Sequence, residues 1–135
     1  MTDTDMRIGT SESFAALSGK GVLVVEDDYL LAEEMADAVR SAGGIALCPV
    51  PNVEGAMAII ASAQVDAAVL DINLGSETSF PVAKALKSRG IRVVFVTGYD
   101  DWMLPDDLTD VPIYRKPADP DNVVRLLFKP ERREE

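Results

Sequence analysis

The amino-acid sequence predicts a doubly wound α/β domain, in which helices cover both faces of a five-stranded parallel sheet. Short apolar runs rich in β-branched residues alternate with stretches of helical periodicity from residue 20 onward. The length of 135 residues fits one domain with a sizeable core. Apolar residues make up 47% of the chain and charged residues 27%, as is usual for a globular protein.

The apolar runs predict five strands, because each run is short and is bounded by polar or turn-forming residues. The runs lie at residues 22–26, 45–50, 65–71, 91–97 and 111–116. Helical spacing follows the first two runs. One apolar face is formed by Leu31, Met35, Val39 and Ala42, and the next by Ala56, Ile59, Ile60 and Ala63. We also expect Met57, in the second of these helices, to fill the core.

Two further helices are predicted in the second half of the chain. The third runs from Pro81 to about Arg89, because proline suits a first helical turn and Gly90 ends the helix. The last covers residues 121–128. Residues 98–110 contain Pro105 and five aspartates with little apolar periodicity, so we expect one short or frayed helical turn there.

Charge and composition exclude several classes of function. With 13 Lys and Arg against 23 Asp and Glu, the net charge is −10, which disfavours direct binding to nucleic acid. The chain has no histidine, which excludes His-based triads and His-ligated zinc within it. Cys48 is the single cysteine, so a reducing cytoplasm is the expected location. No apolar run is long enough to span a membrane, and residues 1–18 do not resemble a signal peptide.

Candidate functional residues lie where the predicted strands end. Ligands of open α/β sheets bind at the carboxyl ends of the strands, near the point where the strand order reverses. The first run ends in Glu26 and Asp27, the third in Asp71, the fourth in Thr97 and the fifth in Lys116. If the first and third strands are neighbours, three carboxylates meet at one edge of the sheet.

Converging carboxylates repel one another, so their arrangement favours a bound cation. Oxygen ligands of this kind suit Mg²⁺. Lys116 could pair with Asp71 or with a phosphoryl oxygen, and Thr97 could donate a hydrogen bond to the same oxygen. A carboxylate in these surroundings can attack phosphorus. Taken singly, such residues are often helix caps or turn residues, and we expect Asp28 to cap a helix. Candidate residues at the ends of four strands together favour a site for a phosphoryl group.

Together these residues resemble the receiver domain of two-component response regulators. The resemblance covers residues 20–129 and is carried by residues 22–28, 69–73 and 96–98 and by the pair Lys116-Pro117. It implies a flavodoxin-like strand order 2-1-3-4-5. It also implies that Asp71 accepts a phosphoryl group from a histidine of a sensor histidine kinase or a histidine phosphotransfer protein.

The resemblance further implies a metal site and a binding site for the phosphoryl oxygens. Glu26, Asp27, Asp71 and the backbone carbonyl of Asn73 would hold Mg²⁺. Thr97 and Lys116 would bind the phosphoryl oxygens, and the Lys-Pro bond would be cis. We therefore expect a receiver domain at residues 19–129. Composition predicts a disordered extension, rich in Ser, Thr and Asp, at residues 1–18 and a charged tail at 130–135.

Several residues depart from the common receiver pattern. Many receivers have Leu-Pro-x-x-x-Gly after the phosphoacceptor, whereas here Leu74 is followed by Gly75, so we expect a looser loop. Ile113 stands where the family often has an aromatic switch residue, and strand alternation points the neighbouring Tyr114 the other way. Ala118 follows the Lys-Pro pair in place of phenylalanine.

Residues 92–99 resemble the alphaproteobacterial receivers with a Phe-Ala-Thr-Gly-Tyr-like motif, with Val96 in place of the alanine. Those receivers mostly stand alone and lack the aromatic switch. We therefore hypothesise that residues 99–110, including Trp102, become ordered when Asp71 is phosphorylated. No DNA-binding or catalytic domain follows residue 129, so we expect signalling through an unidentified downstream protein or a phosphorelay, with no enzymatic output.

Other functions fit parts of this pattern. A phosphorylation-independent α/β binding module would use the same fold. A haloacid-dehalogenase-like phosphatase also uses a strand-end aspartate and Mg²⁺, but its motif is Asp-x-Asp and Asn73 occupies the second position here. A nucleotide- or flavin-binding module is disfavoured because Phe14 and Gly21 replace the first glycine and the Ser/Thr of a Walker motif.

Overall fold

The computed structural model of the protein describes residues 17–98 and 104–127. The strands are β1 (Gly21–Val25), β2 (Ile45–Val50), β3 (Ala67–Asp71), β4 (Arg92–Thr97) and β5 (Ile113–Arg115). The helices are α1 (Tyr29–Ser41), α2 (Val53–Ser62), α3 (Phe80–Ser88) and α4 (Pro120–Leu126), and a 3-10 turn covers Asp106–Leu108. The predictions for residues 1–16, Trp102 and the tail 130–135 lie outside the described residues.

All strand pairs in the sheet are parallel, and the strand order is β2-β1-β3-β4-β5. The register aligns the ends of the strands, since Val25 pairs with Leu70, Asp71 with Val96 and Thr97 with Arg115. The doubly wound fold and the predicted strand order are therefore confirmed. β1 and β3 are neighbours, which brings Glu26, Asp27 and Asp71 to the same edge of the sheet.

Two hydrophobic clusters lie on opposite faces of the sheet. Leu23, Leu70 and Phe95 pack on one face with residues of α2 and α3. Val24 and Val69 point to the other face, where α1 and α4 pack. Because successive side chains alternate between faces, strands covered on both sides must be almost wholly apolar. All five residues of β1 and of β3 are buried.

Side-chain caps fix where three helices begin. Asp28 accepts hydrogen bonds from the backbone N–H groups of Leu30 and Leu31 at 3.0 and 3.2 Å, which confirms its predicted role as a helix cap. Asn52 caps α2 through the N–H of Gly55 at 2.8 Å. Asp119 caps α4 in the same way.

Some local predictions were wrong. Met57 is 39% exposed, because α2 turns Ala56 and Ile60 toward the sheet and the next position lies about 100° around the helix. Ala63 is exposed because α2 ends at Ser62, so the predicted fourth position of its apolar face is not helical. β3 and β5 are also shorter than the predicted runs.

The short helical turn predicted in the acidic connection is present at Asp106–Leu108. Leu108 is fully buried against the α2–α3 side of the core. Lys87 of α3 donates hydrogen bonds to the carbonyl of Asp107 at 3.0 Å and to the Asp110 carboxylate. The hydrogen bond from Lys87 holds the pKa of Asp110 below its ordinary value. Leu108 and Lys87 thus fix the 3-10 turn against the core and α3. Residues 99–103 lie outside the described residues, and the ordering of residues 99–110 on phosphorylation stays a prediction.

Among residues 17–98 and 104–127, no helix is both long and apolar enough to cross a bilayer.

Replacing Leu108 with alanine is expected to lower the free energy of unfolding by about 2–5 kcal/mol, because the substitution leaves a cavity in the core. Urea denaturation followed by circular dichroism measures the change. The control is Leu30→Ala, since Leu30 is 69% exposed and should change stability by only about 0.5 kcal/mol. Equal losses in the two variants would show that the 3-10 turn is not anchored in the core.

Candidate phosphoacceptor and metal site

Lys116 joins the two most enclosed carboxylates at the edge of the sheet. Its Nζ lies 2.9 Å from Glu26 Oε1 and 3.0 Å from Asp71 Oδ2. The side chains of Glu26 and Asp71 are only 9% and 8% exposed. The structure confirms the predicted pairing of Lys116 with Asp71. The contact with Glu26 was not predicted, because chain spacing gives no measure of how far the lysine reaches.

Three carboxylates converge beside this lysine. Glu26, Asp27 and Asp71 each offer an oxygen, and these oxygens all lie within 4.8 Å of one another. Asp27 is exposed, so the group opens to solvent on one side. An all-oxygen set that leaves room for water matches the requirements of Mg²⁺, which is held by a few carboxylates and keeps several of its waters. The residues present therefore fit a magnesium ion.

Burial and hydrogen bonds shift the pKa values of Glu26 and Lys116. Desolvation raises the pKa of Glu26 to about 7, although hydrogen bonds from the backbone of Asp28 and from Lys116 oppose the rise. Burial acts to lower the pKa of Lys116, but hydrogen bonds to Glu26 and Asp71 outweigh it and raise that pKa above its ordinary value. Lys116 thus remains a fixed positive charge, while Glu26 changes charge near neutrality.

An open cleft of about 670 Å³ collects most of the predicted site residues. Its lining includes Glu26, Asp27, Asp71, Asn73 and Lys116. Leu31, Gly75 and Gly98 also line the cleft, which was not predicted from the sequence. The one feature of the sequence that could have indicated them is that each lies close in the chain to a residue at a strand end.

Thr97 ends β4, and its side chain is buried. Its carbonyl accepts a hydrogen bond from the N–H of Lys116 at 2.8 Å, so the backbone of the lysine is fixed beside the end of β4. The Lys116–Pro117 peptide bond is cis, as the resemblance implied. Thr97 and Lys116 are therefore adjacent in the structure, as the positions of the strand ends predicted.

The loop after Asp71 is closed by local hydrogen bonds. Asn73 Oδ1 accepts from the N–H of Gly75 at 3.1 Å, and Leu74 N–H donates to the carbonyl of Glu77 at 2.9 Å. Gly75 has a φ of +89°, a conformation that proline cannot adopt. Leu74 itself is buried. These contacts close the loop without proline, and the looser loop expected from the loss of proline stays a prediction.

Ile113 and Tyr114 lie on opposite faces of β5, as strand alternation predicted. Ile113 is 39% exposed, whereas Tyr114 packs against the hydrophobic cluster beneath α1 and α4. Ala118, which follows the Lys-Pro pair, packs against the same cluster. The position of the usual aromatic switch is thus occupied by a partly exposed aliphatic side chain.

A second cavity, of about 380 Å³, lies on the α1 and α4 side of the site. Glu26, Asp71 and Lys116 contribute to its lining, together with apolar residues such as Leu31 and Met35. This cavity was not predicted, because its size depends on how closely α1 and the segment after β5 approach each other.

The fold and this site are those of a receiver, and the response regulator receiver domain family matches residues 22–127. The chain therefore belongs to the response regulator receiver domain family. Domains of this family accept phosphoryl groups in two-component signalling, are phosphorylated by histidine kinases and bind Mg²⁺ at an acidic pocket. They are signalling domains and not conventional enzymes.

The chain is similar to the sensory transduction protein LytT of Bacillus subtilis (strain 168), with 30% identity over 112 residues. The match covers 80% of this chain and 46% of LytT, so the chain spans about half the length of that relative.

Two solved structures are also similar. SdrG from Sphingomonas melonis Fr1 is 38% identical, with a TM-score of 0.68 over 82% of this chain and 92% of that one. The receiver domain of PhyR from Erythrobacter litoralis has a TM-score of 0.70 at 23% identity, over 82% of this chain and 87% of that one. The likeness to PhyR shows the fold, and the likeness to SdrG agrees with the alphaproteobacterial resemblance.

Glu26 should make the stability of the metal-free protein depend on pH. Between the ordinary pKa of 4.5 and the raised value of about 7, the folded protein holds a proton that the unfolded chain has lost. The contribution of Glu26 to stability is thus full below pH 4.5 and is lost as the pH rises to about 7. Glu26→Gln should remove this part of the decline.

The measurement is the free energy of unfolding of both proteins in a chelator across this pH range. As the pH rises toward 7, the free energy of unfolding of the wild type should fall relative to that of Glu26→Gln. Parallel profiles would contradict the raised pKa.

Restoring the common proline at position 75 should destabilise the protein. Gly75→Ala is expected to cost about 1–2 kcal/mol, because the φ of +89° is strained for any residue with a Cβ. Gly75→Pro should cost more, since it also removes the N–H that binds Asn73. Thermal unfolding of the two variants gives the comparison, and a Gly75→Pro protein as stable as Gly75→Ala would show that this loop conformation is not required.

Proposed function

We propose that this chain acts as a stand-alone receiver. In this proposal Asp71 accepts a phosphoryl group from the phosphohistidine of a sensor histidine kinase or a histidine phosphotransfer protein, in a reaction that depends on Mg²⁺. The signal then passes by protein–protein contact or onward in a phosphorelay. The observation that carries the proposal is the enclosed Asp71 carboxylate, paired with Lys116 at 3.0 Å within a cluster of carboxylates.

The transfer is a displacement at phosphorus. One oxygen of Asp71 forms the new O–P bond while the P–N bond to the donor histidine breaks, and the imidazole leaves with the electron pair. This chain has no histidine, so the phosphohistidine must come from a partner. The product on this chain is an aspartyl phosphate.

Lys116 and Thr97 are the groups we propose to bind the phosphoryl oxygens. The Lys116 ammonium already lies 3.0 Å from Asp71 Oδ2, so a phosphoryl group on Asp71 would form beside a fixed positive charge. The Thr97 hydroxyl, next to the backbone of Lys116, can donate a hydrogen bond. Positioning and neutralisation of charge are the main contributions a protein makes to phosphoryl transfer.

Glu26, Asp27 and Asp71, with the backbone carbonyl of Asn73, are the groups we propose to hold Mg²⁺. The bound ion would supply positive charge that offsets the negative charge of the phosphoryl oxygens. Glu26 and Asp27 follow β1 directly and Asp71 ends β3, so the alignment of these two neighbouring strands supports the assignment.

The stand-alone role is supported by the likeness to SdrG, because the aligned region covers 92% of that chain. We also propose that the protein acts in the cytoplasm, as the single cysteine suggested. Cys48 is a free, exposed thiol, which suits a reducing compartment.

The test is labelling by phosphoramidate, a small phosphoryl donor that also contains a P–N bond, followed by intact-protein mass spectrometry. The wild type should gain one phosphoryl group with Mg²⁺ and none in a chelator, and Asp71→Asn should gain none. The control is Asp37→Asn, because Asp37 is an exposed acid of α1 that pairs with Arg40. It should label like the wild type.

Labelling of Asp71→Asn would overturn the assignment of the phosphoacceptor. No labelling of the wild type with either phosphoramidate or a panel of phosphorylated histidine phosphotransfer proteins would favour the phosphorylation-independent binding module. Continuous release of phosphate from a phosphate monoester would instead favour the phosphatase.

A further inference from the structure

Glu77, in the loop between β3 and α3, makes two contacts that connect distant parts of the chain. Its Oε2 accepts a hydrogen bond from the backbone N–H of Val53, the first residue of α2, at 2.9 Å. Its own carbonyl accepts from the N–H of Leu74 at 2.9 Å, which closes the loop. One residue therefore both closes the loop after Asp71 and ties it to a helix 24 residues away.

The start of α2 provides a fixed point for this contact. The Asn52 side chain caps α2 by accepting a hydrogen bond from the N–H of Gly55. The next residue, Ala56, is fully buried in the core. The residue before the connecting loop, Val50, also accepts a hydrogen bond from the N–H of Glu26 at 3.0 Å. A carboxylate at this position is favourable, because the first N–H groups of a helix lack partners within the helix and carry partial positive charge.

The loop that Glu77 ties down lines the acidic cleft. Asn73 and Gly75 both line it, and a Cβ at position 75 would lie 3.8 Å from Asp27 Oδ2. A glycine at this point gives the loop more freedom when it is not constrained, whereas the common proline would restrict φ. In this chain hydrogen bonds constrain the loop instead, those of Asn73 within it and that of Glu77 to the start of α2.

We propose that Glu77 is a positioning residue for the metal site: its bond to the start of α2 holds residues 73–75 against the acidic cleft. This inference rests on the proposed function, because Asn73 matters to the site through its backbone carbonyl. Glu77 would contact neither the metal nor the phosphoryl group, and would act by fixing the loop that carries Asn73.

The experiment compares Mg²⁺ binding by the wild type, Glu77→Ala and Glu77→Gln, measured by amide NMR titration. Glu77→Ala should bind Mg²⁺ about tenfold more weakly, the size of effect that groups supporting metal ligands usually have. Glu77→Gln removes the same charge but keeps an oxygen that can accept the Val53 N–H, so it should recover most of the affinity.

The matched control is Glu54→Ala. Glu54 is also an exposed acid in the first turn of α2, so its removal tests the effect of lost negative charge near the same helix end. Glu54→Ala should bind Mg²⁺ within about twofold of the wild type, a difference of only about 0.4 kcal/mol. If it weakened binding as much as Glu77→Ala, the effect would be one of overall charge and the proposal would be wrong.

A second measurement does not depend on the metal. Hydrogen exchange of the Leu74 and Gly75 amides in the metal-free protein should be faster in Glu77→Ala than in Glu77→Gln. Failure of the wild type to bind Mg²⁺ would contradict the proposed function while this exchange still tests the tie to α2. The role of Glu77 would be overturned if Glu77→Ala exchanged these amides no faster than Glu77→Gln. It would also be overturned if the wild type bound Mg²⁺ and Glu77→Ala bound it equally well.

Discussion

The contact of Lys116 with both Glu26 and Asp71 is the interaction on which the site depends. The lysine lies 90 residues from one partner and 45 from the other, and it follows the edge strand β5, two strands beyond β3. Two largely enclosed carboxylates side by side would repel each other without a positive charge between them. Since the ammonium reaches both, this contact joins the ends of three of the five strands and depends on their alignment.

That alignment comes from the apolar strands. β1 and β3 are buried along their whole length, so their register cannot slip by one residue without exchanging the side chains of the two faces. The polar side chains follow the apolar residues of each strand, immediately after Val25 in β1 and at Asp71 in β3. The strand register that the apolar core requires therefore also places the acidic residues together at one edge of the sheet.

This connection explains why the sequence predicted the fold and most of the candidate site. The apolar runs marked the strands, and the ends of those runs identified Glu26, Asp71, Thr97 and Lys116. The exposure of Met57 was not predicted, because a run as apolar as α2 gives a weak indication of which side faces the core. Glu77 was not recognised either, because its partner Val53 is distant in the chain and no periodic pattern links them.

Helix α2 is held at both ends by the chain that flanks α3. Glu77 accepts from Val53 at its start, and Arg89, just after α3, donates to the carbonyl of Ile60 near its end at 3.3 Å. Each charge has the sign that favours the helix end it meets. Both ends of α2 are thus tied by hydrogen bonds to the chain that flanks α3, and its first turn is tied to the loop after Asp71. The position of α2 is therefore linked to the conformation of the loop beside the phosphoacceptor.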